Sequence, residues 1–301
     1  AAQTPAPKPA QTAPAPAATA SGSGEANPVV LSNQMMITFM ERFKSGNFAE
    51  ARKIVDDMLW GVDKVQDTPT KVYRAFSNLM GKHLFEHQLR TEGTKAEVEW
   101  LQQPYADGYY FQALLAFHEK KVPEALEALQ KAISWDPVRA AFHIERGFMM
   151  MHLETPPELA MVMATYLKAL ELADNRQDFA AAMRGIGFVF VEKMDLTAGL
   201  AAYMVAQKFD PEDKTAPREI DYIRAQAPGL TRLLDDGKAI SLLSERRIPV
   251  TIDPIHVKVL TEIATDLEQK QNTRELKAIL RRILDIDPAN ANAKKKLTAL
   301  P

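Results

Sequence analysis

Apolar residues recur along most of this chain at the three- and four-residue intervals of an amphipathic helix, from Pro28 to the C-terminus. No segment of this region sustains the two-residue alternation of a half-buried strand, and short apolar runs such as residues 248–252 fit connections between helices. Breakers separate the periodic segments, notably at Asp136-Pro137, Asp210-Pro211, Asp253-Pro254 and Asp287-Pro288. Because proline cannot continue a helix and disfavours helical angles at the residue before it, each site ends one helix. The pattern predicts an all-α fold of short helices.

The prolines also mark a repeat. Pro254 and Pro288 are 34 residues apart (288 − 254). Before these breakers, small residues recur at some fixed distances and large apolar residues at others. Small residues are expected where two helices cross closely, because a larger side chain there would clash. The repeated positions are Ala113, Ala125, Ala132 and Pro137, then Gly187, Phe190, Tyr203, Ala206 and Pro211, then Ala264 and Pro288.

These residues and their period resemble the tetratricopeptide repeat (TPR) family. The resemblance implies one repeat domain over residues 28–301, a right-handed superhelical solenoid of antiparallel helix pairs that are stabilised by stacking on their neighbours. The clearest repeats span residues 106–137, 180–211 and 257–288, weaker ones 32–63 and 140–174, and degenerate ones 70–103 and 216–254. The resemblance also implies a protein that binds other proteins and is not an enzyme.

In TPR proteins the first helix of each pair lines a concave groove. That frame assigns to the groove Met36, Met40, Phe43, Tyr110, Leu114, Phe117, His118, Ile144, Phe148, Met151, His152, Arg184, Phe188 and Val191. Such an apolar lining suits an amphipathic helix or an apolar peptide, with methionine adapting to its shape. The Lys, Asn and Arg clamp with which some relatives hold an acidic C-terminus is absent, because Tyr110 and Leu114 stand there. The alternative is that these side chains form ordinary core.

Residues 1–27 differ from the rest in being rich in Ala, Pro and Thr, with no large apolar residue. Such a segment cannot bury enough surface to become ordered, so we expect a disordered tether. A leader of this kind is common in exported bacterial proteins. It suggests a periplasmic scaffold, tethered near a membrane, in an envelope-associated or secretion-type assembly. The alternative is a cytoplasmic co-chaperone or regulatory adaptor.

Charge and composition narrow the chemistry. The 301 residues carry a net charge of −2 and no cysteine, so thiol catalysis and disulfides are excluded and nucleic acid is not an expected partner. No apolar stretch is long enough to span a bilayer. The sequence predicts no cofactor. His83, Glu86 and His87 form an H-x-x-E-H motif, which in some peptidases supplies two zinc ligands and a general base. A zinc hydrolase is therefore the alternative to a solvated helix face, although we expect no metal.

Overall fold

The computed structural model describes residues 28–76, 79–153, 155 and 158–300, so the predicted tether at residues 1–27 lies outside the described residues. In chain order its elements are α1 (Pro28–Lys44), α2 (Phe48–Met58), β1 (Lys71–Arg74), α3 (Leu79–Thr91), β2 (Glu97–Trp100), α4 (Tyr105–His118), α5 (Val122–Trp135), α6 (Ala140–Met150), α7 (Leu159–Leu172), α8 (Arg176–Glu192), α9 (Leu196–Phe209), α10 (Thr215–Gln226), α11 (Leu230–Leu233), α12 (Asp236–Glu245), α13 (Pro254–Gln269), α14 (Thr273–Ile286) and α15 (Ala291–Ala299).

The helices form a stack of pairs. Within the pairs, α1 packs on α2, α4 on α5, α6 on α7, α8 on α9 and α13 on α14. Between pairs, α2 packs on α4, α5 on α6 and α7 on α8, and α6 also packs directly on α8. Each pair buries its apolar side against its neighbours, as a solenoid requires. The prediction of an all-α helical-repeat solenoid is confirmed.

Four of the pairs turn between their helices in the same way. The residue just before the second helix's N-cap has a positive φ: Gly46, Lys120, Met194 and Gln271, with φ between 56° and 76°. In three of these turns the following cap side chain accepts a hydrogen bond from the helix: Asn47 from the N–H of Glu50, Asp195 from that of Ala198, and Asn272 from that of Glu275. Caps of this kind stabilise a helix start by about 1 kcal/mol.

The repeat positions form the close contacts between helices. Ala113, Ala125, Ala132 and Ala206 have no exposed surface, Ala264 and Tyr203 are 2% exposed, and Phe190 is 9% exposed. A Cβ on Gly187 would lie 3.1 Å from the Tyr203 ring, so glycine lets α8 approach α9. By contrast, Pro211 and Pro288 lie in exposed turns, and Pro137 is partly buried. The prolines therefore end helices, while the small residues set the spacing between them.

Residues 70–103 are not a helical repeat, and the expectation of a degenerate one is corrected. β1 and β2 form a two-stranded parallel sheet in which Lys71 pairs with Glu97 and Arg74 with Trp100, and α3 makes the crossover between them. The N–H of Ala75 also donates to the carbonyl of Trp135, at the end of α5 (3.4 Å). Parallel strands need a crossover connection, and here α3 supplies it.

The C-terminal helices pack against α3 and against helices from the middle of the chain. Within residues 216–254, which the sequence predicts to be a degenerate repeat, α12 packs on α9. Farther along, α13 packs against α3, and the Nε2 atom of His256 lies 3.1 Å from the carbonyl oxygen of Glu171 at the end of α7. An ion pair between Arg282 and Asp174 (2.6 Å) joins α14 to the α7–α8 turn. The final pair is thus held to the middle of the stack.

Candidate functional site

Six aromatic rings lie close to the C-terminal ends of α1, α4 and α6 and at the start of α2. Phe43, Phe48 and His118 form one cluster, with centroid separations of 4.3–5.7 Å. A second cluster contains Phe117, Phe148 and His152, at 4.5–5.6 Å. The two clusters are neighbours, because each takes one ring from the last two residues of α4, Phe117 and His118. We call these six residues the aromatic strip. Its four phenylalanines are partly buried and its two histidines are exposed.

The other predicted groove residues divide into two groups. Met36, Met40, Tyr110, Ile144 and Met151 are partly buried beside the strip or on the same helices. Leu114 is 7% exposed and belongs to the core between the helix pairs, so its place in the predicted groove surface is corrected.

On α8 the predicted groove residues include a charged side chain, Arg184, beside two apolar ones. Phe188 and Val191 are partly buried. Arg184 lies 3.4 Å from a carboxylate oxygen of Asp213 and 4.0 Å from one of Asp210. Its guanidinium is therefore held by the chain's own acids, which follow α9. The apolar lining is concentrated on α1, α4 and α6.

An acidic region lies about 10 Å from the strip along α4, since Tyr110 is seven residues before Phe117 and a helix rises about 1.5 Å per residue. Here Arg139 bridges Asp107 (2.5 Å) and Asp136 (2.9 Å). Its guanidinium also lies over the Phe142 ring, 4.4 Å from the centroid. Both aspartates are 1% exposed, and each has one carboxylate oxygen without a hydrogen-bond partner.

Two further carboxyl groups adjoin this region. Burial raises the pKa of Glu145, on α6, from 4.5 to about 7. Burial also raises the pKa of Asp178, on α8, although Asn175 donates a hydrogen bond to it and partly opposes the effect. Both carboxylates act on Tyr110, whose pKa is raised by burial and then by the charge of Glu145. Asp136 has its pKa raised to about 6 by burial, in spite of Arg139. Negative charge is therefore in excess around Tyr110.

Glu145→Gln is expected to stabilise the fold at high pH alone. A carboxyl whose folded-state pKa exceeds its unfolded value binds more protons in the folded state, so its contribution to stability falls as pH rises from about 4.5 to about 7. Removing it should therefore raise the free energy of unfolding by about 1–3 kcal/mol at pH 8.5 and leave it unchanged at pH 4. Urea unfolding at both pH values measures this. Glu124→Gln, on the exposed side of α5, is the control, and an equal gain at both pH values for Glu145→Gln would refute the expectation.

The H-x-x-E-H motif lies on α3. Nδ1 of His83 is 4.0 Å from a carboxylate oxygen of Glu86. His87 lines a cavity of about 340 Å³ between α3, α7 and α13, together with His256 and Lys168. Across the residues that the structure describes, no three His, Asp or Glu side chains converge as a metal site would need. In the same part of the chain, no helix is both long and apolar enough to cross a membrane.

The sequence missed two members of this site. Phe48 is the first residue of α2 and lies outside the first-helix frame, so only the fold places its ring 4.3 Å from that of His118. Glu145 follows the assigned position Ile144 and reads as a surface charge in sequence. No periodicity signal distinguishes it, because its burial follows from the packing of other helices around α6.

The packed helix pairs, with small residues where the helices cross, define a helical-repeat solenoid. No family model matches the chain, and no curated protein matches it. Several solved structures are similar to it, including two TPR proteins. One is YrrB, a TPR protein described as having an unusual peptide-binding site, with 18% identity over 73% of this chain and 98% of that one, at a TM-score of 0.34. The other is the C-terminal part of a TPR repeat-containing protein from Cytophaga hutchinsonii, with 14% identity over 86% of this chain and 98% of that one, at a TM-score of 0.37.

Proposed function

We propose that this chain is a non-enzymatic scaffold that binds an apolar or amphipathic segment of another protein along the first helices of its N-terminal pairs. The aromatic strip is the observation that carries the proposal. Ring contacts join α1 and α2 to α4 in one cluster and α4 to α6 in the other, and all six side chains keep part of their surface in solvent. Aromatic surface that neighbouring helices leave partly exposed commonly marks an interaction site.

The composition of the strip also suits a partner. Aromatic residues are enriched among the side chains that dominate binding energy, because they bring large apolar area with few rotatable bonds. Covering a further ~40 Å² on each ring would contribute about 1 kcal/mol per ring at ~25 cal/mol per Å². Met36, Met40 and Met151 lie on the same helices and can adapt to the shape of a bound segment.

The assembly in which this scaffold works is a further part of the proposal. The Ala/Pro/Thr-rich composition of residues 1–27 supports a tether in an exported protein of an envelope-associated or secretion-type assembly. A cytoplasmic adaptor is the alternative, and fractionation of cells that produce the full-length protein separates the two locations.

Site-specific photo-cross-linking tests the binding face. We would replace Phe148 with the photoreactive analogue p-benzoylphenylalanine, and in a matched control do the same at Gln130, an exposed residue of the second helix α5. Irradiation in extracts of cells that naturally produce the protein should give a discrete adduct from position 148 and none from position 130. Mass spectrometry then identifies the partner. Adducts from position 130 alone would place the binding face on the second helices and refute the proposal.

A further inference from the structure

The face described above has two chemically different ends. The C-terminal ends of α1, α4 and α6 carry the aromatic strip. Toward the N-terminal ends of α4, α6 and α8 lie Asp107, Asp136, Glu145 and Asp178, around Tyr110. We call these four acids the acidic end. A segment that runs along α4 would pass over both ends.

The acidic end holds more carboxyl groups than cations. Arg139 bridges Asp107 and Asp136 and also acts on Asp178, whereas Glu145 forms no ion pair within the residues that the structure describes. Arg282 also lowers the pKa of Asp178, and its guanidinium is paired with Asp174 at 2.6 Å. Tyr110 places a hydroxyl among these acids and supplies no positive charge.

Two buried carboxylate oxygens without a hydrogen-bond partner are a second, independent sign that a cationic donor fits the acidic end. Asp107 lies one helical turn before Tyr110 and is 1% exposed, yet its Oδ2 atom has no hydrogen-bond partner. Asp136 is equally buried, and its Oδ1 atom has none either. A buried acceptor without a partner destabilises the fold, more so when it is charged, and a donor from a ligand would relieve that penalty.

We propose that the acidic end receives a cationic side chain, arginine or lysine, from the bound segment, so that the partner is a basic amphipathic segment and not a purely apolar one. Charge complementarity across an interface selects partners and fixes their register. The cation should stand about 10 Å from the apolar anchor that covers Phe117, given the seven residues from Tyr110 to Phe117. That distance corresponds to about two turns of a bound helix. Arginine suits the site best, because its five donors can satisfy several carboxylate oxygens at once.

The inference rests on the proposed function, and one selection experiment separates the two. A phage-displayed library of random 12-residue peptides would be selected on four immobilised full-length proteins. They are the unchanged chain, Glu145→Gln/Asp178→Asn, the strip variant Phe117→Ser/Phe148→Ser, and the control Glu124→Gln. The substitutions at Glu145 and Asp178 preserve shape and remove charge, so they should not disturb the fold. Circular dichroism of each protein verifies that it remains folded.

The unchanged chain and the control should select peptides that combine aromatic or aliphatic residues with arginine or lysine, enriched about threefold over the library. The Glu145→Gln/Asp178→Asn protein should select equally apolar peptides without the basic enrichment, and the strip variant should select neither. Apolar peptides without basic residues on the unchanged chain would overturn this inference and leave the proposed function standing. Selection that is indifferent to the strip substitutions would overturn both.

Discussion

Replacing Gly185 with alanine should destabilise the protein by about 1–3 kcal/mol or more, although alanine is the better helix former. Gly185 lies inside α8, and a Cβ added there would stand 2.2 Å from the Tyr166 ring. That ring also lies against Gly147, where an added Cβ would be 2.7 Å away. The ring fills the space between α6, α7 and α8 and is 5% exposed, so it has little room to move. Thermal and urea unfolding measure the loss.

Gly229→Ala is the matched control. An added Cβ at Gly229 would meet nothing within 4 Å, so stability should change by less than about 0.5 kcal/mol. The double variant Gly185→Ala/Tyr166→Leu should recover part of the loss at Gly185, because leucine removes the atoms that clash. If Gly185→Ala proved as harmless as Gly229→Ala, the close packing of α6, α7 and α8 around Tyr166 would be wrong.

The helical spacing of apolar residues and the Asp-Pro breakers were sufficient to predict the helix pairs, since both depend on local sequence. The repeat frame also picked out Gly187, which faces Tyr203 as expected. It gave no reason to rank Gly185 above Gly187. That ranking depends on Tyr166, because its ring extends from α7 to the backbone of α8 at Gly185. Sequence periodicity reports which side of a helix is buried, but not how closely a particular neighbour approaches.

The β-strands were missed because each has four residues, too few to show alternation, and their pairing joins segments 26 residues apart (97 − 71). Likewise, the turn conformation shared by Lys120, Met194 and Gln271 has no marker in these residue types, whereas Gly46 is an ordinary choice for positive φ. At the candidate site the frame found Phe43, Phe117 and Phe148. It missed Phe48 and Glu145, because their positions follow from contacts between helices.

The substitutions Phe117→Ser and Phe148→Ser should each weaken partner binding by about 2 kcal/mol or more, close to thirtyfold in Kd. The two rings are 5.6 Å apart and join α4 to α6 in the middle of the strip. Serine removes the aromatic area and places a hydroxyl where an apolar partner would lie. Since both rings are partly buried, each change should also cost about 1–2 kcal/mol of stability, less than the ~3–5 kcal/mol of a core aromatic.

Phe179→Ser provides the contrasting control. Phe179 has no exposed surface and lies 4.2 Å from the Phe209 ring, away from the strip. Its loss should reduce stability by about 3–5 kcal/mol. The fraction that stays folded should bind the partner with unchanged affinity, because the strip is intact.

The most direct test of the binding face is therefore a paired measurement on the unchanged chain, Phe148→Ser and Phe179→Ser. Calorimetric titration with the partner identified by cross-linking gives Kd, and urea unfolding gives stability for the same samples. A strip that serves the partner predicts about a thirtyfold loss of affinity with a small loss of stability for Phe148→Ser, and the reverse for Phe179→Ser. If Phe148→Ser instead lost about 3–5 kcal/mol of stability and its folded fraction bound the partner normally, the ring would be ordinary core and the proposed binding face would be contradicted.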